Sequence, residues 1–522
     1  MRRALQENGM STRQGASWTT HLSSPVGGWN TRDSLAEMDP RDAVELDNWF
    51  PRGGQMELRG GCQNWATGLT GSVKSLFQYR SPSAAGKFYG VTDAGVYEIS
   101  TTGAVGAVKK ALSNGYVHGL TLTNSAGSTF YWFANGTDDP VLFDGATWTS
   151  LNGASTPAIT GVTTNLLVYP WLFKHRIFVI EKSSMNMYYL PIDSIAGVAS
   201  KFPLGNLFRR GGSLNAGTSW TLDSGQGPDD LLAIITTEGE LAVYKGTNPA
   251  SASSWEIVGV WFVGKPLSRR CFFKLGGDVG VLVENGVFML SQLLQSGEAN
   301  FSNALSKKIQ PTISQKVNLL GPTTTGWEGC VYPQFDALIV NVPGGIQWVM
   351  NTVTQAWCSF SNWNALCFEV RDGVLFFGRS DGTVQQAWNG AITADNGADI
   401  PTIVQTAWNY FGNRTMLKNL GVFRPLLAWN GSIAMNWGVG AEYEEIDMTS
   451  YYPRQGSNAT AKWGSGVWGT STWQATLLRY KKWLSAVHPP GYTLSLRLQT
   501  LSNDSSLTWS GTDFILERGG AM

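Results

Sequence analysis

Residues 231–246 read LLAIITTEGELAVYKG, and this stretch shows how most of the chain is built. Two runs rich in Leu, Ile, Ala and Val flank a turn at Glu238 and Gly239. β-branched and aromatic residues favour strands, and Gly readily adopts the positive φ that a tight reversal needs. The stretch therefore predicts a β-hairpin.

Six further stretches follow the same plan of an apolar run, a short turn and a second apolar run. They lie at residues 87–100, 130–150, 175–190, 279–291, 336–351 and 373–388. Successive starts are about 37 to 57 residues apart, which is typical of propeller blades of about four strands. We predict a β-propeller-like domain over residues 72–394, with loop insertions near 196–228 and 246–254. A set of β-sandwiches built from the same hairpins is the alternative, because the spacing is irregular.

The segment before the repeat is predicted to hold one helix and one strand. Residues 1–24 are polar and unpatterned, which predicts a flexible N-terminal arm. Within residues 25–71, Asp39 can cap a helix, Pro40 can take its first position, and Asp42 suits its positive end. We therefore predict a helix over 40–47 and a strand over 55–59, in a block that packs on the propeller.

After about residue 395 the hairpin repeat gives way to longer β runs. These runs lie at 403–410, 421–429, 433–439, 492–501 and 513–518. They predict an additional β-sandwich-like domain over residues 395–522.

One more helix is predicted near 311–318, because Pro311 can begin it and Ile309, Ile313 and Val317 recur every four residues. The predicted fold class is all-β with very few short helices, and helix below about 15% of residues.

The charge balance argues against a nucleic-acid-binding protein. Lys plus Arg and Asp plus Glu number 38 each among 522 residues, and only 15% of residues are charged. No global field concentrates nucleic acid, and weak repulsion between copies suits a subunit that buries much of its surface in an assembly. We expect no membrane span and no secretion signal, and five reduced core cysteines in a protein made in a cytoplasm.

Motifs that carry chemistry are not found in the sequence. There is no G-x-S-x-G, H-E-x-x-H or P-loop pattern, and only four histidines occur. Among carboxylates, Asp138-Asp139, Asp144 and Asp229-Asp230 are candidates for glycoside hydrolysis or calcium binding, but each pattern is typical of a turn. We predict no enzymatic activity, no cofactor and no metal site.

Three tryptophans form the most distinctive surface candidate. Trp463, Trp468 and Trp473 recur every five residues in a Gly/Ser/Thr-rich context, a period that fits neither a helix nor a strand. Indoles are frequent anchors at interfaces, so we predict a partner-docking loop, with packing over a sheet edge as the alternative.

Several motifs at both ends of the chain resemble one family. The sequence WNTRD at 29–33 with DNWFP at 47–51, NGTD at 135–138 with FDGATW at 143–148, and DFILERGG at 513–520 carry the resemblance. They are similar to the nozzle, or tail tubular protein B, family of short-tailed bacteriophages and prophages. The resemblance implies a propeller-like body joined to further β-domains, and it adds Trp29, Asp33 and Trp49 as candidate docking residues. The chain is shorter than the larger nozzles, so a long nozzle tip is not implied.

The resemblance implies a structural role in the virion tail. Such subunits are assembled in the bacterial host cytoplasm into a hexameric ring below the portal and adaptor, where tail fibres or a needle dock. Genomic DNA would pass through the ring without specific binding, and we expect a neutral or acidic inner wall. The alternative is a tail-associated propeller that binds or hydrolyses host-surface polysaccharide.

Overall fold

The computed structural model describes residues 17–519, apart from 83, 125, 224–227, 297–302, 322–325, 430–431, 449, 453–477, 480–481 and 504–506. About 52% of the structure is strand and 6% is helix. The prediction of an all-β protein with few helices is therefore confirmed.

From residue 17 onward, where the structure is described, six short strands precede the first blade. They are β1 (Ser17–Ser23), β2 (Gly28–Trp29), β3 (Asp42–Asp47), β4 (Trp49–Arg52), β5 (Gln55–Leu58) and β6 (Cys62–Thr67). The predicted strand over 55–59 is confirmed as β5.

The predicted helix over 40–47 is wrong, because these residues form β3. The Asp39 carboxylate accepts a hydrogen bond from the Arg41 backbone N–H at 2.8 Å, which makes a turn rather than a helix start. β3 then pairs with strands far away in sequence, antiparallel to residues 403–406 and parallel to Ser359. These pairings override the local capping signals.

Seven blades follow in the described part of the chain, and each begins with its innermost strand. Blade one comprises β7 (Ser75–Ser81), β8 (Ala84–Thr92) and β9 (Gly95–Glu98), and blade two comprises β11 (His118–Thr123), β12 (Thr129–Ala134), β13 (Val141–Phe143) and β14 (Trp148–Ser150). Blade three comprises β16 (Leu167–Phe173), β17 (Arg176–Glu181), β18 (Asn186–Tyr189) and β20 (Ser200–Pro203). Blade four comprises β21 (Leu214–Asp223), β22 (Pro228–Thr236), β23 (Glu240–Gly246) and β24 (Trp255–Phe262). Three short connecting strands are β10 (Gly103–Ala104), β15 (Ile159–Thr160) and β19 (Gly197–Val198).

Blade five comprises β25 (Phe272–Leu275), β26 (Asp278–Val283) and β27 (Gly286–Met289). Blade six comprises β28 (Glu328–Tyr332), β29 (Ala337–Val342), β30 (Ile346–Asn351) and β31 (Trp357–Phe360). Blade seven comprises β32 (Cys367–Arg371), β33 (Val374–Gly378) and β34 (Val384–Ala387). The described residues between blades five and six include two α-helices, α1 (Leu290–Ser296) and α2 (Gln310–Leu320). α2 confirms the helix predicted near 311–318, and it buries Ile313 and Val317.

The seven blades close into a ring. The first strand of each blade contacts its neighbours, from β7 through β11, β16, β21, β25, β28 and β32 back to β7. β6 pairs antiparallel with β34, so a strand from before blade one completes blade seven. Each of the seven predicted hairpins lies in one blade, and the propeller-like body is confirmed.

The last strands are β35 (Ile400–Thr406), β36 (Lys418–Trp429), β37 (Ser432–Ala441), β38 (Ser450–Tyr452), β39 (Leu478–Arg479), β40 (Leu494–Asn503) and β41 (Leu507–Arg518). β3 lies between β31 of blade six and β35, in a ten-stranded sheet that also holds β40 and β37. β36 and β41 form a second sheet with β1, β4 and β5. Buried side chains of both sheets share one core, including Trp437 and Leu498 from the first sheet and Phe423 and Trp509 from the second. The sandwich-like domain thus contains strands from both ends of the chain.

A buried ion pair joins the innermost strands of the ring. The Arg270 guanidinium, just before β25, donates to Glu328 Oε2 at 2.7 Å and to Ser75 Oγ at 2.5 Å. It also donates to the Val117 carbonyl at 3.1 Å. Glu328 Oε1 accepts the Phe368 backbone N–H. Five of the seven blades are therefore tied together by one charge pair.

Replacing Glu328 by Gln should lower the free energy of unfolding by about 3–5 kcal/mol, because the Arg270 charge would stay buried without its carboxylate. Gln keeps an oxygen that can accept the Phe368 N–H, so the change isolates the charge. Urea denaturation followed by tryptophan fluorescence measures the loss.

Glu37→Gln is the matched control for this experiment. Glu37 pairs with Arg414 at 2.9 Å, but both side chains are more than half exposed. Its loss should cost about 0.5 kcal/mol or less. Equal losses in the two variants would contradict a special role for the Arg270–Glu328 pair.

Candidate functional site

A cavity of about 610 Å³ lies where the innermost strands of the propeller begin. Every blade contributes to its wall, since the lining includes Lys74, Tyr116, Val168, Asn215, Arg269, Gly326 and Leu366. Most of these residues directly precede or begin the first strand of a blade. The cavity is therefore the entrance to the propeller axis on that face.

Positive charge dominates the lining of this cavity. Lys74, Lys182, Lys265 and Arg269 contribute four cations, whereas Glu238 is the one acidic residue among the lining side chains that are described. Glu238 pairs with Lys265 at 2.8 Å. Lys74 pairs with Asp93, outside the lining, at 2.6 Å, and Lys182 Nζ donates to a backbone carbonyl. Two of the four cations thus lack a carboxylate partner within the described part of the chain.

Arg269 is the least compensated of these cations. Its Nη1 atom is buried and has no hydrogen-bond partner among the described residues. Burial lowers the pKa of the guanidinium, and the nearby Tyr116 phenol offsets part of this effect. A buried guanidinium N–H without an acceptor is costly, so an acceptor at this position would stabilise the site.

His118, close to the same arginines, is unsuited to titrate near neutral pH. Burial, followed by the positive charges of Arg270 and Arg269, lowers the pKa of His118 well below its ordinary value. Its ring packs on Tyr169 with centroids 4.1 Å apart. The imidazole is therefore neutral and packed between aromatic rings.

The carboxylates singled out in the sequence have structural partners. Asn135 Oδ1 accepts the backbone N–H groups of Thr137 and Asp138, and Asn135 Nδ2 donates to Asp138 Oδ2 at 2.7 Å. Asp138 also accepts the Ser113 N–H. Burial alone would raise the pKa of Asp138, but the hydrogen bonds from Asn135 and Ser113 outweigh it and hold the pKa below the usual range. Asp144 Oδ1 accepts the N–H groups of residues 146 and 147 in its own turn.

The remaining acidic candidates are also bonded. Asp139 accepts from Thr164 Oγ1 at 2.6 Å, and Asp230 pairs with Lys174 at 2.5 Å. The side chain of Asp229 lies outside the described residues. None of the described candidates lines the cavity at the axis.

The WNTRD segment at 29–33 repeats the same turn. Asn30 Oδ1 accepts the N–H of Asp33, and Asn30 Nδ2 donates to both Asp33 and Asp42 at 2.8 Å. Lys308 Nζ, just before α2, binds Asp42 at 2.6 Å. This turn therefore fastens the N-terminal segment to the connection between blades five and six.

The candidate docking tryptophans differ in burial, and three of them are not among the described residues. Trp29 is half-buried, and its indole N–H donates to the Val44 carbonyl at 3.1 Å. Trp49 is 0% exposed and packs on Trp509, so its burial corrects the prediction that it docks a partner. Trp49 lies with Phe50 and Met56 in the core shared by the two sheets. The predicted docking residues Trp463, Trp468 and Trp473 lie outside the described residues.

Among the described residues, no group of three or more His, Cys, Asp or Glu side chains is placed to hold a metal ion. All five cysteines are unpaired, and burial raises the pKa of Cys62 and Cys271 to about 12. No helix in the described ranges is long and apolar enough to cross a membrane.

Comparisons with known proteins concern the fold alone. No protein-family model matches the sequence, and neither does any curated protein. The WD40 domain of Neurospora crassa Pan2 is 9% identical, and the match covers 64% of this chain and 98% of that domain at a TM-score of 0.38. The computationally designed Ika8 protein is 9% identical, with coverages of 62% and 99% and a TM-score of 0.35. The extracellular domain of a putative hybrid two component system from B. thetaiotaomicron is 11% identical, with coverages of 81% and 57% and a TM-score of 0.43.

Sequence reasoning missed the cavity because its cations are spread over residues 74–269. A usable signal exists in the repeat. Lys74 and Arg269 lie one and three residues before the innermost strands of their blades, so comparing the short segments that precede these strands across the seven repeats would have brought them together.

Glu369 is a second acidic group between innermost strands. It lies on β32 and accepts a hydrogen bond from Gln78 Nε2 of β7 at 2.9 Å. Burial raises the pKa of Glu369 to about 7, with the Gln78 hydrogen bond lowering it and the Glu328 charge raising it further. The folded state therefore holds a proton that the unfolded chain releases near pH 4.5.

Glu369→Gln should stabilise the protein more at pH 8 than at pH 5. The folded-state pKa lies above the unfolded value, so the contribution of Glu369 to stability is fully present below the unfolded pKa and is lost as pH rises to about 7. The difference in free energy of unfolding between variant and wild type should grow by about 2 kcal/mol from pH 5 to pH 8. Urea titrations at both pH values measure it, with exposed Glu445→Gln as the control. A pH-independent difference would contradict the raised pKa.

Proposed function

We propose that this chain is a structural subunit of a short phage tail, and that its copies form a ring around the path of the exiting DNA. The contact between copies is made by β24, the outer strand of blade four. The proposal contains no catalytic step.

The exposed apolar edge of β24 is the observation that carries this proposal. Within the described residues β24 pairs with β23 alone. Its exposed side chains include Ile257, Val258, Val260 and Phe262, at 38–47% exposure. At eight residues β24 is twice as long as the outer strands of blades one and three, which have four each. A long apolar edge strand offers unpaired backbone groups to another chain.

Charge and chemistry of the remaining surface agree with an architectural role. The net charge is zero, so copies do not repel one another strongly. The described acidic candidates at 138, 139, 144 and 230 are held in turns and ion pairs, which leaves them as scaffold rather than as an acid–base pair.

A ring requires a contact between two different surfaces of neighbouring copies. β24 of one copy would then meet another surface of the next copy, and the arrangement closes after a fixed number of subunits. The resemblance to phage nozzles implies six. The inner wall of such a ring would be neutral or acidic, so that DNA slides past it.

The purified protein should form a closed ring, visible by negative-stain electron microscopy and as a discrete oligomer by mass photometry. The double variant Val258→Lys with Val260→Lys should be monomeric, because two charges on β24 oppose burial of the edge. Its far-ultraviolet circular dichroism spectrum should match that of the wild type, since both side chains are exposed.

Val353→Lys serves as the matched control. Val353 is 75% exposed at a turn of blade six, away from β24, so this variant should keep the ring. A monomeric wild-type protein at high concentration, or a ring that survives both lysines on β24, would refute assembly through this edge.

Duplex DNA should bind the protein only weakly, with a Kd of about 10⁻⁴ M or weaker at physiological salt. Balanced charge gives few phosphate contacts, so few counterions are released. Fluorescence anisotropy with a labelled duplex, repeated over a range of salt concentrations, measures this. Sub-micromolar binding with a steep salt dependence would show that the ring grips DNA.

A further inference from the structure

We propose that the cavity at the entrance of the propeller axis binds a small molecule bearing an oxyanion, such as a phosphate or carboxylate group, and that Arg269 is its principal contact. This site is independent of the proposed assembly, because β24 lies on the outer edge of blade four and the cavity at its inner edge.

The state of Arg269 points to an anion. Arg269 lines the cavity, and its buried Nη1 atom donates to no described residue. A guanidinium presents a planar fork of N–H donors that matches carboxylate and phosphate oxygens. The neighbouring Arg270 is fully engaged by Glu328 and Ser75, so it is not available for the same role.

The other cations of the cavity also favour a negatively charged ligand. Lys182 donates to the Gly136 carbonyl and has no carboxylate partner among the described residues, so it keeps further N–H donors. Lys74 and Lys265 already pair with Asp93 and Glu238. Two uncompensated cations therefore remain at the site, which suits an anion and repels a metal ion.

The size of the cavity limits the ligand to a small molecule. A volume of about 610 Å³ falls within the range of small-molecule sites. Polar residues in the wall, Asn114, Asn215 and Ser268, suit a hydroxylated body next to the oxyanion, although Asn215 Nδ2 and Ser268 Oγ already donate to backbone carbonyls. A sugar phosphate combines these features.

Isothermal titration calorimetry with glucose 6-phosphate, inorganic phosphate, citrate and glucose tests the proposal on the full chain. Glucose 6-phosphate should bind with a Kd of about 1 mM or tighter, and glucose should not bind. Binding of inorganic phosphate shows that the oxyanion alone suffices, and binding of citrate shows that carboxylates are accepted as well.

Arg269→Gln should weaken binding of glucose 6-phosphate at least tenfold, and Lys182→Met should weaken it several-fold. Arg209→Gln is the control, because Arg209 is exposed and does not line the cavity. Thermal unfolding of each variant shows that it is folded, and Arg269→Gln should not be less stable than the wild type, since it removes a buried unpaired charge.

Absence of binding by all three anions at about 10 mM would overturn the proposal, and so would binding that is unchanged in both cavity variants. Repeating the titration with the monomeric β24 double variant separates this site from assembly. Equal affinity in ring and monomer is the expected result, and binding that requires the ring would place the site between copies and overturn this one.

Discussion

The Arg270–Glu328 pair is the interaction on which the propeller depends. Adjacent blades of the propeller share no continuous backbone ladder, so side chains supply much of the contact at the inner seams, together with single backbone hydrogen bonds such as Gly136 N–H to the Leu167 carbonyl. Arg270 reaches from blade five to Glu328 in blade six and to Ser75 in blade one, while Glu328 continues to the Phe368 N–H in blade seven. Both charges are largely buried, and in such surroundings a charge-assisted hydrogen bond is stronger than in water, whereas an unpaired charge is expensive. The pair therefore favours the closed ring over any arrangement in which one seam has opened.

A second buried arginine fastens the ends of the chain to this ring. Arg59, 0% exposed, donates two hydrogen bonds to Asp395 at 2.6 and 3.0 Å and one to Asn48 Oδ1 at 2.6 Å. It thus joins the N-terminal strands to the chain that leaves blade seven. Closing contacts between residues over 300 positions apart costs chain entropy, although this cost grows only slowly with loop length. The backbone pairing of β6 in blade seven and of β3 beside blade six offsets this entropy cost. The sandwich-like domain can form only after the two ends of the chain have met.

The sequence predicts the local part of this architecture and misses the long-range part. Each predicted hairpin, such as residues 231–246, carries its own alternation and turn, so one blade hairpin is encoded within a few residues. The five predicted C-terminal runs correspond to β35, β36, β37, β40 and β41 for the same reason. The helix predicted over 40–47 is wrong because β3 pairs with residues about 300 and more positions away. The local sequence gives no indication of these partners. The cluster of cations at the axial cavity could not be predicted for the same reason, since only closure of the ring brings Lys74 and Arg269 to one wall.

Blade four carries an exposed apolar edge and part of the charged entrance on opposite sides of one sheet. Its first strand, β21, brings Asn215 to the cavity, and its fourth strand, β24, exposes Val258 and Val260 on the outside. Three strand spacings separate the two edges, which amounts to about 14 Å. The Debye length at physiological ionic strength is about 8 Å, so the cations of the entrance exert little force on charges beyond the outer edge. An apolar contact at the rim therefore needs no charge complementarity to the entrance, and the field of the entrance can remain positive in a protein whose net charge is zero.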